Sequence, residues 1–108
     1  MHSSEFNDLV DKRLQYCCQI LKVKAEEYAT HDRLHNFKQA ARLQDTTPEQ
    51  ALMGMMAKHI ISVVDLTNMN GTPPQPMVDE KITDLINYAL LLEAVLKERR
   101  DNEIPIRG

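Results

Sequence analysis

The placement of glycine and proline constrains this chain most. Among its 108 residues there are three glycines and five prolines. Gly71, Pro73, Pro74 and Pro76 crowd into one short stretch, and neither residue type occurs before Pro48. Glycine and proline are the strongest local punctuation a sequence has, so a chain that clusters them this way is built from long uninterrupted elements. No segment alternates apolar and polar residues as a half-buried strand would, which leaves helices.

A first helix is expected over residues 4–30, where Phe6, Leu9, Val10, Cys17, Ile20, Leu21 and Tyr28 recur at the spacing of one helical face. The polar run His31-Asp32-Arg33-Leu34-His35-Asn36 breaks that pattern. A short helix over 37–44 follows, stopped by Thr46 and Thr47. Thr47-Pro48-Glu49-Gln50 is a strong start signal, with Thr47 as N-cap, proline at the first helical position and Gln50 closing a capping box; the helix it opens should span 48–68. Residues 70–77 read as a stiff proline-rich connector. Asp79 should then cap a last helix over 79–100, ending at Arg99 and Arg100, whose charge suits the negative end of the helix dipole. Residues 101–108, with Pro105, form a tail. The expectation is a single all-α domain over 1–108, an antiparallel bundle of three long helices and one short one.

Charge and composition exclude partners. There are 13 Lys plus Arg against 16 Asp plus Glu, a net charge of −3, with no Trp and 5% aromatic residues. That lacks the basic footprint and the stacking platforms of a nucleic-acid binder. No run of about 20 apolar residues suggests a membrane span, and Glu5, Asp8, Asp11, Lys12 and Arg13 are unlike a secretory leader, so a cytoplasmic protein is expected. A chain of this size supports one modest core, and self-association into a homo-oligomer is expected to complete it. Cys17 and Cys18 are adjacent and read as free thiols with a packing role.

The informative polar residues are those on apolar helices. The Thr47-capped helix is apolar nearly all round, with a polar strip of Gly54, Lys58, Ser62 and Asp65 that either meets partners in a cleft or reaches a solvated edge. His59 lies among Leu52, Met56, Val63 and Leu66 and is expected to be a hydrogen-bonded core histidine, with a ligand role as the alternative. Lys24 and Glu27 share the apolar arc of the first helix. Asp84 shares a line with Leu91 and Val95, near Lys81, Asn87 and Tyr88, and Glu93 falls on the main apolar stripe. Carboxylates converging inside a bundle are how helical proteins hold divalent cations; interhelical ion pairs of Glu27 or Asp84 with Lys24, Lys58 or Lys81 would use the same residues. The six methionines read as flexible core filling. In the polar loop, Arg33 could contact a substrate or phosphate edge or simply lie in a solvated turn, while His31 and His35 could coordinate metal, a weak signal at so common a spacing. No glycine-rich phosphate loop and no nucleophile constellation occurs.

The order Glu27-Tyr28, His35-Asn36-Phe37, Thr47-Pro48-Glu49 opening a Met-rich helix with Lys58-His59, and Asp84-Leu85-Ile86-Asn87-Tyr88 resembles small phage and prophage proteins related to nucleotide-modification-associated helical domains. More distantly it is similar to the MazG-like all-α nucleotide pyrophosphohydrolases, over about residues 15–97. That resemblance implies an oligomeric helical bundle in which carboxylates of two helices bind magnesium, which clamps a nucleoside triphosphate and directs water at its α phosphate. Carried onto this chain, it implies Glu27 and Asp84 as Mg2+ ligands. Lys58, Asn87 and Tyr88 would be catalytic, and Lys24, Arg33, Asn36 and Lys81 would bind substrate. The family pattern has two acids three residues apart on each helix. Here Lys24-Ala25-Glu26-Glu27 and Lys81-Ile82-Thr83-Asp84 put lysine in place of each first acid; Glu80, on a different face from Asp84's apolar neighbours, Asp65, or acids of a neighbouring subunit would have to replace the missing ligands. Such a nearly neutral set suits phosphate oxygens better than a cation. Three expectations follow: a magnesium-dependent hydrolase of nucleoside triphosphates, a non-catalytic phage helper that binds a nucleotide or a protein, or a purely structural bundle.

Overall fold

The computed structural model describes residues 1–27 and 31–103, the side chains of Ala25 and Glu27 excepted. The end of the first helix at 28–30, with Tyr28, and the tail from 104 with Pro105 lie outside the described residues. Four helices make up the described chain: α1 (Ser3–Glu27), α2 (His35–Gln44), α3 (Pro48–Asn68) and α4 (Gln75–Asn102). No strand occurs among the described residues, and no described helix is long and apolar enough to cross a membrane.

The helix ends follow local chemistry. Thr47 adopts an extended backbone and its Oγ1 accepts from the Gln50 amide at 3.3 Å. The reciprocal half of the expected capping box does not form, because the Gln50 side chain meets the Thr46 hydroxyl instead. α2 begins at His35, two residues earlier than the sequence suggests. The Asp32 carboxylate accepts from the Leu34 amide at 3.0 Å and turns the polar loop directly into helix. It ends at Asp45, in the left-handed region at φ 53°, with the Asp45 and Thr46 amides donating to the Arg42 and Ala41 carbonyls. The proline-rich connector is shorter than expected. α4 starts at Gln75 with Pro76 in its first turn, where proline's missing N–H would have had no intrahelical partner. Asp79 is therefore not a cap. It accepts from Gln75 Nε2 at 2.8 Å and pairs with Arg13.

α4 is the hub: it packs against α1 on one side and α3 on the other, with α2 laid on α3. Leu34, Phe37, Leu52 and Val95 form the buried core between α2, α3 and α4, with Met55, Met56, Tyr88, Leu91 and Leu92 packed on it. Glu49 pairs with Arg99, and His59 faces Asp84. Residue numbers thus fall along α4 as they rise along α3, and the two helices are antiparallel. Arg13 meets Asp79 and Thr83, and the Cys17 carbonyl meets Asn87, so α1 runs parallel to α4, as the first of three long helices does to the last in an up-down-up bundle. It packs, however, on α4 alone among the described helices. Cys17 is buried in that contact and Cys18 is exposed.

The α3 strip of Gly54, Lys58 and Asp65 is exposed and Ser62 half-buried, a solvated edge. Glu93 is exposed rather than inward.

Lys38 ties the loop to α4, bonding Asp32 at 2.6 Å and also pairing with Glu98. The Lys38 ammonium and the Leu34 amide hold the Asp32 carboxyl below its ordinary value, and Asp32 followed by Glu98 raises Lys38. A lowered carboxylate contributes stability above its unfolded value and loses it as pH falls through its folded value. The raised lysine contributes fully below its ordinary value, and that contribution is lost only in strong alkali. Stability should therefore fall below about pH 4, and Asp32→Asn should flatten that part of the profile in thermal melts across pH. An unchanged acid slope in the variant would remove Asp32 from the account.

Candidate functional site

A cleft opens where the C-terminal half of α1, the start of α2 and the middles of α3 and α4 converge. Its volume is about 170 Å³, and its walls are Ile20, Leu21, Lys24, Arg33, Phe37, His59, Asp84, Asn87, Tyr88 and Leu91. Helical spacing assembles it. Residues 84, 87, 88 and 91 fall three and four apart on one face of α4, and 20, 21 and 24 do the same on α1.

The apolar side is Ile20, Leu21, Phe37 and Leu91. Tyr88 meets Phe37 edge-on, with ring centroids 6.5 Å apart and planes at 73°. On its other side it lies against the His59 ring at 4.4 Å and 32°. His59 Nδ1 stands 3.6 Å from Asp84 Oδ2, with both side chains about a third exposed. Asn87 is buried; its Nδ2 donates to the Cys17 carbonyl at 3.4 Å, and its Oδ1 has no partner among the described residues. Lys24 and Arg33 bring positive charge from α1 and from the loop after it.

Of the residues singled out in the sequence, Lys24, Arg33, Asp84, Asn87 and Tyr88 line this one cleft. Lys58, Asn36 and Lys81 do not: Lys58 and Asn36 are exposed on α3 and α2, and Lys81 is half-buried outside it. Glu27 ends α1 one turn beyond Lys24, and its side chain lies outside the described residues. His59 lies on the apolar line where the sequence places it, but it is half-buried beside Asp84 rather than enclosed in the core. Leu52, His59 and Leu66 stand seven apart on α3, so His59 occupies the line of two buried leucines facing α4. An inward polar residue on each of two packed helices, His59 and Asp84, was a signal for pairing.

Three described grooves are larger, and two of them carry ion pairs in their walls. The groove of about 560 Å³ at the start of α1 and α4 contains the Arg13–Asp79 pair. The groove of about 590 Å³ beside the start of α3 contains the Lys38–Glu98 and Arg99–Glu49 pairs.

The cleft also bears on magnesium. Among the described residues no group of three His, Cys, Asp or Glu side chains is placed to hold a metal ion. Asp84 is the one described carboxylate in the cleft, in the company of Lys24, Arg33 and His59. Magnesium at nucleotide sites is held by one or two carboxylates together with phosphate oxygens and water; Asp84 is one such group, and the side chain of Glu27, the other expected ligand, lies outside the described residues. Two cations around an apolar recess suit an anionic ligand. Comparison of the chain with protein-family models, with curated proteins and with solved structures returns no match.

Proposed function

We propose that this protein binds a nucleotide, with its phosphates at Lys24 and Arg33 and its base against the Tyr88–His59 pair. The observation that carries this reading is the convergence of two cationic side chains on a recess walled by the Tyr88 and His59 rings, in contact at a tilt of 32°. Phosphate is an anion that lysine and arginine bind through charge-assisted hydrogen bonds, and a base offers a flat apolar face to an aromatic wall. A recess of about 170 Å³ is smaller than the pockets of about 300–1,000 Å³ that enclose a whole small ligand. It takes one end of the nucleotide, and the rest crosses the open mouth. The resemblance to phage nucleotide-modification-associated domains supports the same ligand class, and in that setting the chain is a nucleotide-handling helper in the host cytoplasm.

Hydrolysis is the second reading, and the His59–Asp84 contact favours it. A carboxylate beside Nδ1 orients an imidazole and leaves Nε2 as its basic nitrogen. In a hydrolase, Asp84 would be the described carboxylate available to a magnesium–nucleotide complex.

Isothermal titration with a panel of nucleoside mono-, di- and triphosphates, with and without Mg2+, separates these readings. Binding without metal is expected, weakened about tenfold or more by Lys24→Ala or Arg33→Ala, since each removes a hydrogen bond to a charged group worth about 1.5–3 kcal/mol. Release of pyrophosphate that requires Mg2+ and is lost in Asp84→Asn would establish the enzyme. No heat and no product with any nucleotide would remove both.

A further inference from the structure

We infer that this chain completes its fold against a second copy of itself, and that the outer face of α3 is where the two copies meet. The proposal does not depend on nucleotide binding.

The first observation is size. The radius of gyration is 17.0 Å and the principal extents are 54 × 34 × 29 Å, whereas a compact chain of this length has a radius of about 13 Å. The accessible surface is 8286 Å², against roughly 6,100 Å² for a folded monomer of this mass. The excess, about 2,000 Å² per chain, is of the order that each protomer contributes to an obligate homodimer.

The second observation is an uncovered apolar stripe on α3. On α3, Met53, Ile60, Ile61 and Val64 are 43%, 40%, 60% and 49% exposed, and Ala57 between them is exposed as well. At roughly 100° per residue these five positions fall in one arc about 100° wide, turned away from the buried Leu52 and Leu66. An apolar stripe of that width is what a helix buries against a neighbour. α1 shows the same lack of cover. Phe6 precedes Arg13, Cys17 and Ile20 by seven, eleven and fourteen residues, so it shares the face that packs on α4. Yet Arg13 already meets Asp79 near the start of α4, and Phe6, beyond it, is 55% exposed.

The third observation selects the occupant. Only eight apolar residues are buried among those described, too few to leave the monomer with a finished core. A fold completed by association needs a partner that is present whenever the chain is made, and a second copy meets that condition. The α3 stripe carries no charge, so it can lie on its own symmetry mate across a two-fold axis without placing like charges together.

Sedimentation equilibrium of the full chain tests this. A dimer is expected, with a urea unfolding midpoint that rises with protein concentration. Ile61→Glu or Val64→Glu should raise the dissociation constant about a hundredfold or more, because a buried carboxylate has no partner in that stripe. Lys58→Glu, on the adjacent solvated edge, should leave it unchanged. If the stripe variants do not fold, the concentration dependence of the unmodified chain decides the matter. A monomer mass with a concentration-independent midpoint would overturn the proposal, as would a dimer indifferent to both stripe substitutions.

Discussion

Leu52→Ala should destabilise the protein by about 2–5 kcal/mol, toward the upper end of that range. Leu52 has no solvent exposure at all and stands in the cluster with Leu34, Phe37 and Val95. Removing its branched end forfeits the transfer of those atoms out of water and leaves a hole. The surroundings cannot close it easily, because α2 and α4 are pinned on either side. Lys38 holds the loop and α4 together, and Arg99 holds α4 to Glu49 at the start of α3. Domains of this size are stable by only about 5–15 kcal/mol, so one side chain accounts for a large share of the total. Urea denaturation followed by circular dichroism should show a much lower midpoint. Leu43→Ala, at a position 89% exposed, should fall within about 0.5 kcal/mol of the unmodified protein. Equal effects at the two positions would mean that the core does not lie between α2, α3 and α4.

The sequence discloses helices more readily than it discloses their arrangement. Thr47 and Pro48 mark the start of α3 because capping chemistry is local, needing only neighbours three residues away. Pro76 misleads for a related reason: inside a helix proline is a breaker, but in the first turn it is tolerated, and only the backbone settles which applies. Packing partners are harder still. The packing of α1 on α4 rests on Arg13 with Asp79 and Thr83, contacts between residues more than sixty positions apart. Arg13 carries no mark in the sequence beyond its charge. In the cleft, helical spacing was enough to group Asp84, Asn87 and Tyr88, since they share a helix. It was not enough to bring Lys58 in, because adjacent residues on a helix diverge by about 100°. That same divergence turns His59 toward Asp84 and leaves Lys58 in water. α3 reads as apolar on nearly every side because it has two apolar faces. One packs on the core, and the other lies uncovered within a single chain.

Arg13→Ala should detach α1 from α4 and take one wall of the cleft with it. Its guanidinium donates from Nη1 to the Thr83 hydroxyl at 2.8 Å and to the Asp79 carbonyl at 3.2 Å, and it pairs through Nη2 with the Asp79 carboxylate. Thr83 is 2% exposed. Without Arg13 its buried hydroxyl loses that donor, at a cost of about 1–3 kcal/mol. The effect is concentrated because α1 packs on α4 alone among the described helices, and what remains there is Cys17 with its bond to Asn87 and the side chains around Ile20 and Leu21. Local opening is therefore expected to precede global unfolding. In hydrogen exchange the α1 amides should lose protection, while those of α2, α3 and the C-terminal half of α4 keep theirs. Lys24 is carried on α1, so the same opening should weaken the proposed nucleotide binding even though Arg13 lies outside the cleft. Arg13→Lys separates charge from geometry: an ammonium can meet Asp79 but cannot span Asp79 and Thr83 as a planar fork does. It should restore only part of the protection. Uniform loss of protection across all four helices would instead mean that α1 unfolds with the core as one unit.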